Sequence, residues 1–281
     1  MDDLHSINDA INRRAGRKLG PSILVSLSLV AIVWASLAFE PIFFAALVTL
    51  AVCLGIREIS RAFAQVEIDI SANALTFVAI GLSVATWFDG VEGLAVATAV
   101  ALPLLFINLL RRGPESFVRK ATATTLALIY LPFLAGFLIL LGHDEKGLER
   151  IMTFVILVGC NDTFGYFVGV LIGKHPMAPK ISPKKSWEGL VGSIVFTTLG
   201  GSLMFHYVLD INWYLGALVG LLIVFTATSG DLIESAMKRD LQLKDMGSLL
   251  PGHGGILDRL DSVLLSAPAL WLTLELVKRY L

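Results

Sequence analysis

Between Ser229 and Asp261 the sequence gathers acids, bases and glycines in a spacing suited to phosphate and metal-ion chemistry. On a helix, Asp231, Glu234, Ser235 and Lys238 stand at i, i+3, i+4 and i+7 and so share one face. Arg239, Lys244 and Asp245 follow, then Pro251-Gly252-His253-Gly254-Gly255, a turn too rich in glycine to be helical. Asp258 and Asp261 come next, one helical turn apart with Arg259 between them. A helix start preceded by glycines offers free backbone amides to an anion. Carboxylates converging from different helix ends and ringed by Lys and Arg are what magnesium and a polyphosphate jointly require. The hard cation takes oxygen ligands, and the bases neutralise the remaining phosphate oxygens. The blander reading is a cytoplasmic salt-bridge network, and the surplus of carboxylates beside a glycine turn weighs against it. His253 alone reads as structural and gains weight only from its neighbours.

Two further segments hold polar groups where apolar ones are expected. Asn161-Asp162 lies well inside an apolar run, where a carboxylate costs about 2.5–3.5 kcal/mol on insertion scales. A metal or substrate ligand facing an internal cavity would account for it, and a hydrogen-bonded packing residue is the alternative. Gly165, Gly169 and Gly173, spaced by four on the same helix, read as a stripe for close helix packing. The segment Gly169 to Lys174 lacks the glycine spacing and the Ser or Thr of a phosphate loop. Lys180-Ile181-Ser182-Pro183-Lys184-Lys185-Ser186-Trp187-Glu188-Gly189 sets three lysines before an acid at a helix start. Those lysines suit a polyphosphate or an anionic headgroup, and equally an ordinary charge run at a membrane edge.

The elements that must position these residues are membrane spans. Of the 281 residues, 56% are hydrophobic and only 16% charged, and mean hydropathy is +0.76. Soluble chains run at about a quarter charged, so most of this surface faces lipid. Cys53 and Cys160 both lie in apolar runs and indicate no redox chemistry. About nine runs qualify as transmembrane helices: 22–39, 41–56, 73–88, 91–110, 121–141, 148–173, 187–209, 213–233 and 262–280. The expected class is therefore an all-α polytopic integral membrane protein. With the N-terminus cytoplasmic and the C-terminus on the opposite side, all 22 Lys and Arg except Lys146, Arg150, Lys278 and Arg279 fall on cytoplasmic segments. Residues 1–150 then form a scaffold of about five helices with almost no ionisable residue inside the spans. Residues 151–281 form a catalytic region of about four, with cytoplasmic loops 174–186 and 234–261.

At these residues the chain resembles the phosphatidate cytidylyltransferases, or CDP-diacylglycerol synthases. Their signature runs S-x-x-K-R, four residues, K-D-x-G, then x-x-L-P-x-H-G-G-x-x-D-R-x-D. The chain reads Ser235-Ala236-Met237-Lys238-Arg239, Lys244-Asp245-Met246-Gly247, and Leu250-Pro251-Gly252-His253-Gly254-Gly255-Ile256-Leu257-Asp258-Arg259-Leu260-Asp261, without departure over 27 residues. The segments 182–189 and Asn161-Asp162 are also similar to the family, whereas the first 150 residues match only in hydrophobicity and span number. The resemblance implies transfer of CMP from CTP to phosphatidic acid, giving CDP-diacylglycerol and pyrophosphate. It also implies magnesium with potassium as a second metal ion, a homodimer, and Asp231, Asp258 and Asp261 as the metal carboxylates. Lys238, Arg239, Lys244 and Arg259 would hold the two phosphate groups, with Asp245 and His253 beside them in the catalytic motif. Ser182, Lys184, Lys185, Ser186, Glu188, Asn161, Asp162, Ser235, Gly254 and Gly255 would complete the substrate cavity. The expected setting is the bacterial plasma membrane with the site facing the cytoplasm, membrane lipid as a partner and no role for nucleic acid. A CTP-dependent polyprenol kinase is the neighbouring alternative. An ion-coupled transporter is less suited, since no internal repeat accompanies the one-sided distribution of charge.

Overall fold

The computed structural model describes residues 19–247 and 255–280, with side chains from residue 27 onward. His253 and Gly254, both expected at the site, lie outside the described residues. The chain is almost wholly helical: α1 (Leu19–Phe39), α2 (Pro41–Ala64), α3 (Ala72–Leu110), α4 (Phe117–Leu128), a π-turn (Ile129–Phe133), α5 (Leu134–His143), α6 (Gly147–Ile172), α7 (Trp187–Tyr207), α8 (Trp213–Asp240) and α9 (Leu257–Tyr280). Seven segments of the described residues are long and apolar enough to cross a membrane, α4 and α5 counting as one through the π-turn. The protein is a multi-pass membrane protein. Phe39, Phe77, Phe88 and Phe225 stand exposed on its outer faces, as they would against lipid.

The local chemistry explains the breaks. Glu40 is extended, and Pro41 takes the first helical position of α2, where its missing N–H costs nothing. Ser71 caps α3 by accepting from Ala74 N. The 39 residues of α3 are not one rod. Gly90 adopts φ 60° and ψ −140°, a conformation open to glycine and strained for other residues. Gly93 is pressed against the Ala85 carbonyl, a contact impossible in a straight helix, where residues eight apart lie about 12 Å apart along the axis. Arms 72–89 and 91–110 therefore fold back as a hairpin. The cleft between them, about 530 Å3, is lined mainly by apolar side chains such as Phe77, Leu82, Val96 and Leu104. It holds none of the motif residues.

Pro132 sits in the π-turn, whose extra residue per turn accommodates the missing donor and rotates Tyr130 and Leu131 inward. Helices α6, α7 and α8 pack so closely that backbones touch. Gly201 meets the Gly216 carbonyl, Gly220 meets Thr197 and Thr198, and Gly165 and Gly169 meet Gly189. The glycine stripe of α6 is thus a packing device.

Two expectations change. The loop 174–186 contains an antiparallel hairpin, β1 (Pro176–Ala178) with β2 (Ser182–Ser186), the one β element among the described residues. The second span does not end at residue 56 but continues to Ala64, carrying Glu58 inside a buried stripe with Val52, Ile56 and Ile59.

Candidate active site

The i, i+3, i+4, i+7 face of α8 forms as its spacing requires. Ser235 Oγ donates to Asp231 Oδ1 at 3.4 Å, and Lys238 Nζ donates to Glu234 Oε2 at 2.6 Å. Lys238 also reaches across to α9, donating to Asp258 Oδ1 at 2.8 Å. From the other side Lys185, at the end of β2, lies 2.6 Å from Asp231 Oδ2. On α6, Asp162 accepts from Asn161 Nδ2 at 2.9 Å and from Ser262 Oγ at 3.4 Å. Asp261 accepts from Ser262 N at 2.7 Å and stands in the fields of Asp231 and Asp162. Gly230 lets this happen, since its Cα faces the Asp261 carbonyl where any side chain would collide. Asp162 follows the buried Asn161 on α6 and lies in the fields of Asp231 and Lys185.

Three helices and a hairpin therefore bring Asp162, Asp231, Glu234, Asp258 and Asp261 together against Lys185 and Lys238. Carboxyl groups outnumber ammonium groups. Two oxygens within the cluster, Glu234 Oε1 and Asn161 Oδ1, are buried with no hydrogen-bond partner. An all-oxygen donor set of this kind suits a hard cation. No three of the described His, Cys, Asp and Glu residues are already placed as a complete metal site. Magnesium does not demand one, because it usually keeps several waters and takes one or two carboxylates plus substrate phosphates.

The structure does not treat all motif residues alike. Asp258 is fully engaged: besides Lys238, its Oδ2 accepts from Gly255 N at 2.7 Å and Met246 N at 3.1 Å. Coordinating a metal would require it to give up Lys238. Arg239 is turned away and donates to the Ile181 carbonyl at 3.2 Å, pinning the β-hairpin to α8. Lys244 and Asp245 are exposed on the loop after α8, and Arg259 is half-buried on α9. Ser186 caps α7 by accepting from Gly189 N, and Glu188 pairs with His175 at 2.6 Å. Ser182 and Lys184 lie on β2 with Lys184 exposed. These four read as builders of the hairpin and its junction more than as cavity walls.

One expectation is overturned outright. The first amides of α9 are not open to an anion: Ile256 N and Leu257 N donate to the carboxylate of Glu58, at 3.1 and 2.9 Å, from α2. Sequence reading set Glu234 on the α8 face without giving it a role, and missed Glu58 and Tyr130. Tyr130 is 4% exposed, its hydroxyl has no partner, and it lies in the fields of Asp261, Glu234 and Asp231. An acid and a tyrosine among apolar residues are the only local signals of either.

The chain matches the cytidylyltransferase family over residues 22–277. The chain belongs to that family. It is 36% identical over 280 residues to a phosphatidate cytidylyltransferase of Mycobacterium bovis, covering 94% of this chain and 90% of the relative. A phosphatidate cytidylyltransferase of Mycobacterium leprae is 37% identical over 283 residues, covering 94% and 90%. One of Bacillus subtilis is 36% identical over 191 residues, covering 67% and 70%. As a cytidylyltransferase family member, the chain keeps its acid cluster within the matched region.

Proposed function

We infer that this chain is a phosphatidate cytidylyltransferase, moving CMP from CTP to phosphatidic acid to give CDP-diacylglycerol and pyrophosphate. The observation that carries the reading is the convergence of Asp162, Asp231 and Asp261 with Lys185 and Lys238 at one end of an embedded bundle, in a chain of this family. A phosphate oxygen of phosphatidate attacks the α-phosphorus of CTP, and pyrophosphate departs in line. Both reactants are anions, so the barrier lies mostly in bringing them together and in the charge on the leaving group. The attacking phosphate is already ionised near neutral pH, so no strong base is needed. Lys185 and Lys238 have compact ammonium groups that can shift from carboxylate to phosphate as substrates arrive.

Asp231 and Asp261 would hold magnesium, which supplies charge neutralisation on the triphosphate, and potassium is the second ion of the proposal. Asp258 stays with Lys238 and orients it. Lys244 and Arg259 supply further positive charge around the phosphates, while Arg239 holds the hairpin that carries Lys185. The scaffold of residues 1–150 contributes Tyr130 and Glu58 to the region 151–281. Nine crossings result from the seven long spans, the fold-back at Gly90 and α1. The N-terminus and the site then face the cytoplasm of a bacterial plasma membrane, and the protein works as a homodimer. Acyl chains remain in the bilayer and enter sideways.

The test is incorporation of labelled CTP into chloroform-soluble product by purified protein supplied with phosphatidate, with and without magnesium. Metal-dependent CDP-diacylglycerol that falls at least about a hundredfold in Asp231→Asn supports the reading. Release of CDP on adding a polyprenol, with no lipid-linked nucleotide, would sink it in favour of a kinase.

A further inference from the structure

Glu58 is a carboxylate on α2, 5% exposed, and both its oxygens accept amides from the start of α9. The loop that enters α9 is held at its base by two acids acting together. Asp258 takes Met246 N from the outgoing side and Gly255 N from the returning side. Glu58 takes Ile256 N and Leu257 N, while Gly247 and Gly255 press directly against its carboxylate, so that a methyl group on either would collide with it. Both ends of the loop and the first turn of α9 are thus referenced to one side chain of α2. That turn carries Asp258, and Asp261 lies one turn further on. An anion on the first amides of a helix also meets the positive end of its dipole, which fixes the helix start more firmly than packing alone.

We propose that Glu58 is a positioning residue for cytidylyl transfer: it sets the depth and rotation at which α9 presents Asp258 and Asp261 to Lys238 and Asp231. This rests on the reading of that cluster as the transfer site. A displacement near 1 Å in such a site costs about a hundredfold in rate, whereas substrates held by other groups keep much of their affinity. Glu58→Gln retains shape and one acceptor oxygen but loses the charge and the second amide bond.

The experiment uses full-length purified protein. Expected for Glu58→Gln is a kcat lower by about ten- to a hundredfold per folded molecule, with KM for CTP within about threefold of the parent. Hydrogen exchange at the amides of residues 256 and 257 should quicken while later turns of α9 stay protected. Gly247→Ala should lower kcat in the parent and much less in a Glu58→Ala background, because the added methyl then finds room. Unchanged kcat in Glu58→Gln, losses matching the unfolded fraction alone, or additive Gly247→Ala and Glu58→Ala effects would each overturn the proposal. An inactive parent would instead sink the functional reading, and the exchange measurement would still decide whether Glu58 holds the start of α9.

Discussion

Lys238 stands between carboxylates of two helices, so removing it should have two separable effects. Glu234 is wholly buried, and leaving it without its counter-ion costs about 3–5 kcal/mol in comparable buried pairs. Asp258 simultaneously loses one of its three hydrogen-bond donors. Lys238→Met is expected to lower the thermal midpoint in detergent and to cut transfer by at least about a hundredfold. Adding Glu234→Gln should recover most of the stability and little of the activity, which thermal melts and the labelled-CTP assay on the same preparations would establish. The face that holds these groups was legible because a helix repeats every 3.6 residues and Asp231, Glu234, Ser235 and Lys238 obey that period. Which group each would touch was not. Lys185 and Asp231 are joined by tertiary folding, and nothing in a run of basic residues names the acid one of them will meet. Glu58 falls just past the expected end of its span at residue 56, beside Arg57 and Arg61, yet both arginines are exposed while the acid between them turns inward.

Helix contacts govern the element scale. Gly201 and Gly216 bring α7 and α8 into backbone contact, and α8 bears Asp231, Glu234 and Lys238 at its far end. Gly201→Val should force these helices apart and destabilise the protein by about 1–3 kcal/mol, as overpacking does. Gly81, on the first arm of α3, has open space where its Cβ would go. Gly81→Ala should leave the midpoint unchanged or raise it, since alanine favours a helix over glycine by about 1 kcal/mol. Equal losses from both substitutions in parallel melts would refute this account of α7–α8 packing. The apolar runs and the Asp89-Gly90 reversal were visible in the sequence because hydrophobic length and a glycine turn are local properties. The π-turn around Pro132 and the pairing of β1 with β2 were not. A proline inside an apolar run signals disturbance without saying what form it takes, and Ser182-Pro183-Lys184-Lys185-Ser186 has no alternating apolar pattern to mark a strand.

At the scale of the whole molecule, the end opposite the acid cluster has its own clasp. Asp144, in the turn between α5 and α6, accepts from Lys278 at 2.9 Å near the end of α9 and lies 2.9 Å from Arg150 on α6. Burial pushes its carboxyl up, but the hydrogen bond from Lys278 and the charges of Arg150 and Lys278 outweigh that and hold it below its usual 3.8. The unfolded chain therefore binds this proton more tightly than the folded one. The clasp's contribution is complete above the ordinary carboxylate range and fades as pH falls through 3.8 and lower. Asp144→Asn should melt below the parent at neutral pH, and the gap should narrow in acid; a gap that is constant with pH would count against it. Orientation is checked by single cysteines at Lys184 and Asp210 in a cysteine-free background. An impermeant thiol reagent applied to intact cells should label only the second, because the proposed topology puts residue 184 inside and 210 outside.

The bonds from Ile256 and Leu257 to Glu58 span 198 and 199 residues of chain. A ribosome delivers α2 well before α9, so Glu58 is made long before the amides that will satisfy it exist. Arrival of α9 both supplies those amides and completes the acid cluster. The order of synthesis thus makes delivery of α9 a condition for the acid cluster, because Asp258 and Asp261 arrive with the same turns whose entry Glu58 holds.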